Sequence, residues 1–386
     1  MGAAPGRVPE AQLAQAPPPR SFVAATDLRL RFRGRRVIQD AAVRFDWPCT
    51  SFKLKTSTSR VWLRMDGARN YFNVLVNASL LCVLKTTYPQ VRDYPLKLPG
   101  PDSEMRVIEV QKRTESRIGG TMQKPTGPVV LHGVVLEDGT LEELEEDTQE
   151  RRLEFLGDSE TSGFGNLGPS QPGAPGLRSL LTVNIAHQDG NQAWPALAAK
   201  ALDADFHNIA WSGAGVVWNG MGCSADAPFH DLYARALGTS EAEVVDEWQP
   251  DAVVIYLGGN DWWSLADKGH DALTEGFHRF LERVRERRAE AAICVLLASP
   301  DSICACIGSQ EDQAAFAADM SQCWRSAAEK LGDSRVFLDV VAPNPPCSLS
   351  EPADWGQMGH WSVQGNKKWA AAVVPILEAR LGWKAI

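Results

Sequence analysis

The chain of 386 residues is long enough for two domains with separate cores, and its 44% hydrophobic and 23% charged residues are globular values. A formal net charge of −9 excludes nucleic acid as an expected partner, because neutralising phosphates takes a clustered excess of Lys and Arg. No run of apolar residues is long enough for a membrane span, so no membrane partner is expected either.

The opening stretch MGAAPGRVPEAQLAQAPPPR is rich in Pro and Ala. It lacks the apolar core of a signal peptide, so residues 1–26 read as a disordered tail, and on this stretch alone the sequence as given reads as soluble and intracellular. Asp27–Arg33 then alternates apolar and basic residues with period two, which predicts a half-buried strand. Similar short segments follow at Ala42–Phe45, Ser51–Leu54, Arg60–Met65, Tyr71–Val76, Met105–Val110 and Val129–Leu136, divided by turn residues such as Asp66-Gly67 and Pro99-Gly100-Pro101. Many short strands without helical periods between them predict a β-sandwich or jelly roll over 27–148. Asn77-Ala78-Ser79 is a formal glycosylation sequon, relevant only in a secretory pathway. The charged run Leu141–Arg152 marks the boundary to a second domain, 149–386.

Beyond the boundary, apolar strands at Leu153–Leu156, Phe206–Ala210, Ala252–Leu257, Ala292–Ala298 and Val336–Val340 alternate with helical stretches at Ala193–Leu202, Ala266–Arg288, Gln310–Leu331 and Val363–Leu381. That alternation predicts an α/β domain with a parallel sheet between helices. Leu167–Gln188, with three prolines and three glycines, begins as an irregular loop placed to shape the rim of a site. The eight cysteines show no paired spacing for zinc. Five of them lie between 294 and 347, where one or two bridges or free thiols are both compatible with the sequence.

The stretch Leu153–Gly165, LEFLGDSETSGFG, carries the chemistry. A buried strand runs into Gly157-Asp158-Ser159, a sharp turn that exposes one hydroxyl at the carboxyl end of a strand, where an open α/β sheet has its ligand crevice. Alone, such a triplet is an ordinary turn. Three later segments make a set with it: Asn208–Gly213 after a strand, Gly258-Gly259-Asn260-Asp261 after another, and His360 before the last helix.

This set resembles the four blocks of the SGNH (GDSL-like) hydrolase superfamily, which contribute a Ser, a Gly, an Asn and a His in that order. Within it the chain is most similar to carbohydrate esterase family 2, since the N-terminal half looks like that family's jelly roll, ending in Lys112–Glu115 and joined directly to the Gly-Asp-Ser strand. The resemblance implies a flavodoxin-like parallel five-stranded sheet sandwiched by helices, preceded by an all-β jelly-roll domain. It also implies Ser159 as nucleophile, with its own N–H, the N–H of Gly213 and the side-chain amide of Asn260 as oxyanion donors.

His360 is expected as the base, because it alone among seven histidines follows the fifth strand in a loop before the closing helix. The superfamily's acid three residues earlier is Gln357 here, and the nearest acid is Asp354. Either Asp354 reaches the imidazole or a backbone carbonyl in Gly356–Gly359 orients it. Trp262, Trp263, Trp355 and Trp361 flank these blocks and are candidates for stacking on a sugar ring.

The resemblance implies a carbohydrate O-acetyl esterase acting on acetylated poly- or oligosaccharide through an acetyl-serine intermediate. It also implies secretion, against the intracellular reading of the opening stretch, which leaves the compartment open. The alternatives are a lipase- or thioesterase-like hydrolase of the same fold and a glycan-binding module with a decayed site. No cofactor or metal is expected, since neither a P-loop nor Gly-x-Gly-x-x-Gly occurs around the glycine-rich turns.

Overall fold

The computed structural model describes residues 20–87, 90–102, 104–118, 124–145, 149–170, 183–220, 222–244, 248–303, 307–342 and 349–385. Twelve strands precede the strand that ends at Gly157 among these residues. They are β1 (Arg20–Ala24), β2 (Arg31–Arg33), β3 (Val37–Gln39), β4 (Ala42–Phe45), β5 (Ser51–Thr56), β6 (Arg60–Asp66), β7 (Tyr71–Val76), β8 (Ser79–Lys85), β9 (Arg92–Lys97), β10 (Arg106–Lys112), β11 (Val129–Glu137) and β12 (Leu141–Glu142).

They form two antiparallel sheets, one ordered β3-β4-β11-β6-β9 with β1 paired to β11, the other β12-β5-β10-β7-β8 with β2 paired to β5. Along β6 the buried positions are Val61, Leu63 and Met65, alternating with more exposed ones. These face Phe52, Leu54, Phe72, Val74, Ile108 and Val110 of the other sheet across one shared core.

Two expectations for this half need correction. Arg20–Ala24, inside the stretch assigned to a tail, pairs antiparallel with Gly133–Glu137 and covers an edge of β11 that β4 leaves open. Residues 1–19 lie outside the described residues. Asp27–Leu30 is a turn, and only Arg31–Arg33 is strand, because the Asp27 side chain accepts from both the backbone and the guanidinium of Arg29 and so offers the chain a local alternative to the ladder.

The second half holds five parallel strands, β13 (Arg151–Gly157), β14 (Ala204–Ala210), β15 (Ala252–Tyr256), β16 (Ala292–Ala298) and β17 (Val336–Val341), in the order β14-β13-β15-β16-β17. Both faces of this sheet are covered. Leu153 and Phe155 pack with Trp194, Phe206 and Trp369 on one side, while Leu156, Val253 and Ile255 pack with Phe277, Phe280 and Trp324 on the other. This is the doubly wound architecture expected. The winding reverses between β13 and β15, so the connections leaving their carboxyl ends diverge and open a crevice there.

The helices Gln310–Leu331 and Val363–Leu381 have the predicted bounds. The stretch expected as one helix from Ala266 is two, Leu265–Lys268 and His270–Arg287, broken at Gly269 with φ 85°. No helix among the described residues is long and apolar enough to cross a membrane. Cys49, Cys82, Cys223, Cys294 and Cys323 are free thiols, whereas Cys304, Cys306 and Cys347 lie outside the described residues.

Buried polar contacts tie the sandwich to the parallel sheet. Arg35 donates to Glu154 on β13 at 2.9 Å, and Arg288 and the Tyr233 hydroxyl reach the same carboxylate at 2.9 Å each. Burial works against this charge, but the two guanidinium groups outweigh it and hold Glu154 well below the usual carboxylate range. Asp46 accepts from the backbone N–H groups of Gly238 and Thr239. Removing one partner from a fully buried ion cluster leaves a charge without compensation, so Arg35→Met should lower the unfolding free energy by about 3–5 kcal/mol in denaturant titration. A loss below about 1 kcal/mol would place the cluster among ion pairs of surface strength.

Candidate active site

β13 ends at Gly157, where an added Cβ would lie 1.9 Å from Thr161 Oγ1, so only glycine lets the chain turn at once into the short helix Ser159–Ser162. Asp158 caps this turn by accepting from Glu160 N at 3.3 Å. Ser159 thus stands at the carboxyl end of the strand beside the winding reversal. Its Oγ is 2.8 Å from Nε2 of His360.

The histidine comes from a tight excursion closed by the antiparallel pairing of Trp355 with Trp361. Within it Gly356 N donates to His360 O at 2.6 Å, and Met358 adopts a left-handed backbone with φ 58° and ψ 29°. A non-glycine residue in that region costs energy and persists only where its surroundings enforce it. The turn brings the carbonyls of Gln357 and Met358 towards the imidazole, where they favour its protonated form, although neither closes a full hydrogen bond to Nδ1. Burial acts more strongly in the other direction and lowers the His360 pKa to about 4. Phe164 meets the ring edge-on, centroids 4.9 Å apart, and limits its rotation. A proton on Nδ1 facing carbonyls leaves Nε2 as the acceptor for the serine hydroxyl.

Asp354 does not reach the histidine. Its carboxylate accepts from Glu351 N at 3.0 Å, from Gln364 Nε2 at 3.2 Å and from Lys368 Nζ at 2.9 Å, all directed towards the start of the last helix. The intervening turn Gln357–Gly359 is used in lifting His360 and not in folding it back over Asp354. Gln357 is turned away as well, with its Oε1 2.9 Å from His187 Nδ1 and its Cβ against Gly165 and Gly168.

Gly213 lies in the turn after β14 with φ 80°, where a Cβ would sit 2.9 Å from that of Cys223. It is not among the residues lining the cavity, but its neighbour Ser212 faces the helical turn that begins at Ser159, Oγ to Ser162 Oγ at 3.4 Å. Asn260 lines the cavity. Its Nδ2 donates to Asp158 Oδ2 at 3.1 Å and to Ala214 O at 3.2 Å, which links the serine and asparagine blocks.

Three acids without an assigned role position these blocks. Asp261 accepts from the N–H groups of Val216, Val217 and Trp218, fixing the loop after Gly213. Glu115, at the end of the jelly roll, accepts from Ser212 N at 2.5 Å. Asp158 is the third. Burial raises Asp158 and Glu115 to about 7 and Asp261 to about 6. Lys112 donates to the carbonyls of Asp46 and Glu115, and burial lowers its pKa to about 7. Adjacency to Ser159 and Asn260 was the available signal for Asp158 and Asp261, and Glu115 had none beyond ending the jelly-roll segment, but acids default to the surface and nothing local marks these as buried.

The cavity over Ser159 and His360 has a volume of about 570 Å³. Its lining combines Asp158, Glu160, Asn260, Trp263 and Trp361 with the apolar Leu296, Leu297, Phe316 and Met320. Trp263 is 54% exposed, whereas Trp361 is buried, stacked on Tyr256 and tilted against Trp369. Trp262 and Trp355 are not at the cavity, contrary to expectation. Trp262 donates to Asp319 and packs on Phe316, and Trp355 belongs to the core, because each indole finds protein surface closer than the crevice. Among the described residues no cluster of three His, Cys, Asp or Glu side chains is placed to hold a metal ion.

Fold and side chains together define an α/β protein with a serine–histidine pair at the switch point of a doubly wound sheet. The GDSL-like Lipase/Acylhydrolase family matches residues 155–368, more than half of the chain, and the chain belongs to that family. It is 26% identical over 285 residues, 70% of this chain and 74% of the relative, to an acetylxylan esterase / glucomannan deacetylase of Cellvibrio japonicus. Among solved structures, a family two carbohydrate esterase from Cellvibrio japonicus superposes with a TM-score of 0.73 at 20% identity, covering 95% of this chain and 99% of that one. A family two carbohydrate esterase from Clostridium thermocellum in complex with cellohexaose also gives 0.73 at 20% identity, covering 92% and 99%.

Two outcomes follow from this geometry. A base must be neutral to accept a proton, so the His360 ring, followed by NMR, should stay neutral as pH falls from 7 and protonate only through about pH 4, the value to which burial lowers it. Protonation of that ring near 6.5, the usual histidine value, would contradict its burial. Asp354→Asn should keep more than about a third of kcat/KM while lowering stability by about 1–3 kcal/mol, because the variant loses a charged partner of Lys368 and not of His360.

Proposed function

We propose that the chain is a serine ester hydrolase of the carbohydrate esterase type, removing O-acetyl groups from an acetylated poly- or oligosaccharide such as xylan or glucomannan. The observation that carries this reading is the 2.8 Å contact of Ser159 Oγ with His360 Nε2 at the crevice. The relatives named as acetylxylan esterases and the family two carbohydrate esterase structures support the substrate class.

In the proposed reaction Ser159 Oγ attacks the ester carbonyl carbon while its proton passes to His360 Nε2. The oxyanion is held by the Ser159 N–H and by the Asn260 amide, which gives up its bond to Asp158 or to Ala214 O to do so, with the N–H of Gly213, behind the residues that line the cavity, as a third donor. Collapse breaks the bond to the sugar oxygen, which takes the proton from His360, and leaves acetyl-Ser159. Water, deprotonated by His360, then attacks this ester and releases acetate and free serine. Trp263 is the proposed sugar platform. The two halves are proposed to act as one unit divided near residue 148, with Glu115 of the first buttressing the oxyanion turn of the second.

One observation favours a second reading. The apolar lining by Leu296, Leu297, Phe316 and Met320, in a cavity of about 570 Å³, exceeds what an acetyl methyl needs and suits the longer acyl chain of a lipase-like hydrolase. Turnover of matched chromogenic esters decides between them. The acetyl ester should exceed the octanoyl ester in kcat/KM by at least about tenfold, a difference of about 1.4 kcal/mol in transition-state stabilisation, and Ser159→Ala should abolish both. A reversed preference would establish the longer acyl group. Undiminished turnover by Ser159→Ala would remove the serine mechanism altogether.

A further inference from the structure

The nucleophile turn and the histidine loop meet through two successive rungs. Ser159 Oγ contacts His360 Nε2 at 2.8 Å, and the next residue, Glu160, accepts from the next backbone N–H, that of Trp361, at 3.0 Å. Glu160 lines the cavity beside the pair. No cation offsets the burial of its carboxyl, which holds it well above the ordinary carboxylate range, with the nearby Asp158 acting in the same direction. Keeping an acid in such a place is costly, and cost retained at a reacting centre points to use.

The loop around His360 is held before the ring by Gln357 N donating to Gly165 O at 3.0 Å and after it by Ser362 N donating to Asp354 O at 2.8 Å, and Glu160 adds the tie to the residue next to the ring. Nδ1 faces only carbonyls, Gln357 is engaged by His187 and Asp354 by Lys368. Gly356, the left-handed Met358 and Gly359 precede the ring and give the backbone little intrinsic rigidity there. On the far side, the backbone N–H of Trp361 is one bond sequence from the Cα of His360, so fixing that N–H fixes the root of the imidazole relative to Ser159.

We propose that Glu160 is a positioning residue for His360, pinning the histidine loop to the nucleophile turn through Trp361 N and taking over the orienting task that Gln357 and Asp354 leave unfilled. The inference rests on the reading that Ser159 and His360 are the reacting pair. It requires of Glu160 an oxygen acceptor of the right length and not a negative charge, since the proton-bearing acid still accepts through its carbonyl oxygen.

Glu160→Gln preserves that acceptor and Glu160→Leu removes it while keeping similar volume. Measured on the full chain with the acetyl ester, Glu160→Gln should keep kcat within about threefold. Glu160→Leu should lower kcat about a hundredfold, the scale expected when a reacting group is misplaced by about 1 Å, with KM little changed and the melting temperature equal to or above that of the wild type. A melting temperature that holds while kcat falls separates positioning from general support of the fold.

Full kcat in Glu160→Leu overturns the proposal. A loss in Glu160→Gln as deep as in Glu160→Leu overturns it too, because the group would then act as an acid and not as an acceptor. Glu160→Met, which also lacks the oxygen, serves the same comparison if the leucine variant does not fold. Ser159→Ala measured alongside keeps the two claims apart. If it is inactive while Glu160→Leu is fully active, the inference alone fails, and if it is active, the reacting pair and the inference fail together.

Discussion

The contact between Ser159 and His360 joins residues 201 positions apart, and the architecture of the α/β half serves to bring them within 2.8 Å. Neither residue is placed by its own segment alone. Ser159 is fixed by the sharp turn that Gly157 permits at the end of β13, and His360 by a loop with a left-handed residue at Met358. The reversal of winding between β13 and β15 supplies the crevice into which both project. A sheet with the same strands but no reversal there would cover the serine with a connection.

The surroundings are built by burying acids against backbone N–H groups. Asp158 holds Glu160 N and the Asn260 amide, Asp261 holds three successive N–H groups, and Glu115 holds Ser212 N. Burial raises all three carboxyls, and of the three only Glu115 has a cation acting against that loss of solvation, the buried Lys112. This is preorganisation: loop dipoles are fixed before substrate arrives, at a cost in stability met elsewhere in the fold. The sandwich takes part through Glu115, and Arg35 and Asp46 secure it to the parallel sheet. That coupling gives a physical reason for the two halves to share one chain.

Much of the fold was legible because its signals are local. Period-two alternation located β4 and β7 to the residue, and the helical stretches that alternate with the apolar strands gave the bounds of the helices Gln310–Leu331 and Val363–Leu381. Short edge strands such as β1, β3 and β9 escaped, since their identity depends on a partner strand far away in sequence. The order of Ser, Gly, Asn and His blocks pointed to the crevice, yet the partner of each side chain was not readable. Asp354 is bound to Lys368, Trp262 to Asp319 and Gln357 to His187, and each of these pairings is set by tertiary packing. The buried acids escaped for the same reason.

The central claim is that His360 activates Ser159 and no other hydroxyl. Its most direct test is to treat the full chain with a serine-directed phosphonate and map the label by mass spectrometry, in the wild type and in His360→Ala. The account predicts a single adduct on the peptide containing Ser159 and a labelling rate that falls at least about a hundredfold without the imidazole. A label on another serine, or equal labelling of Ser159 in the His360→Ala protein, would contradict it.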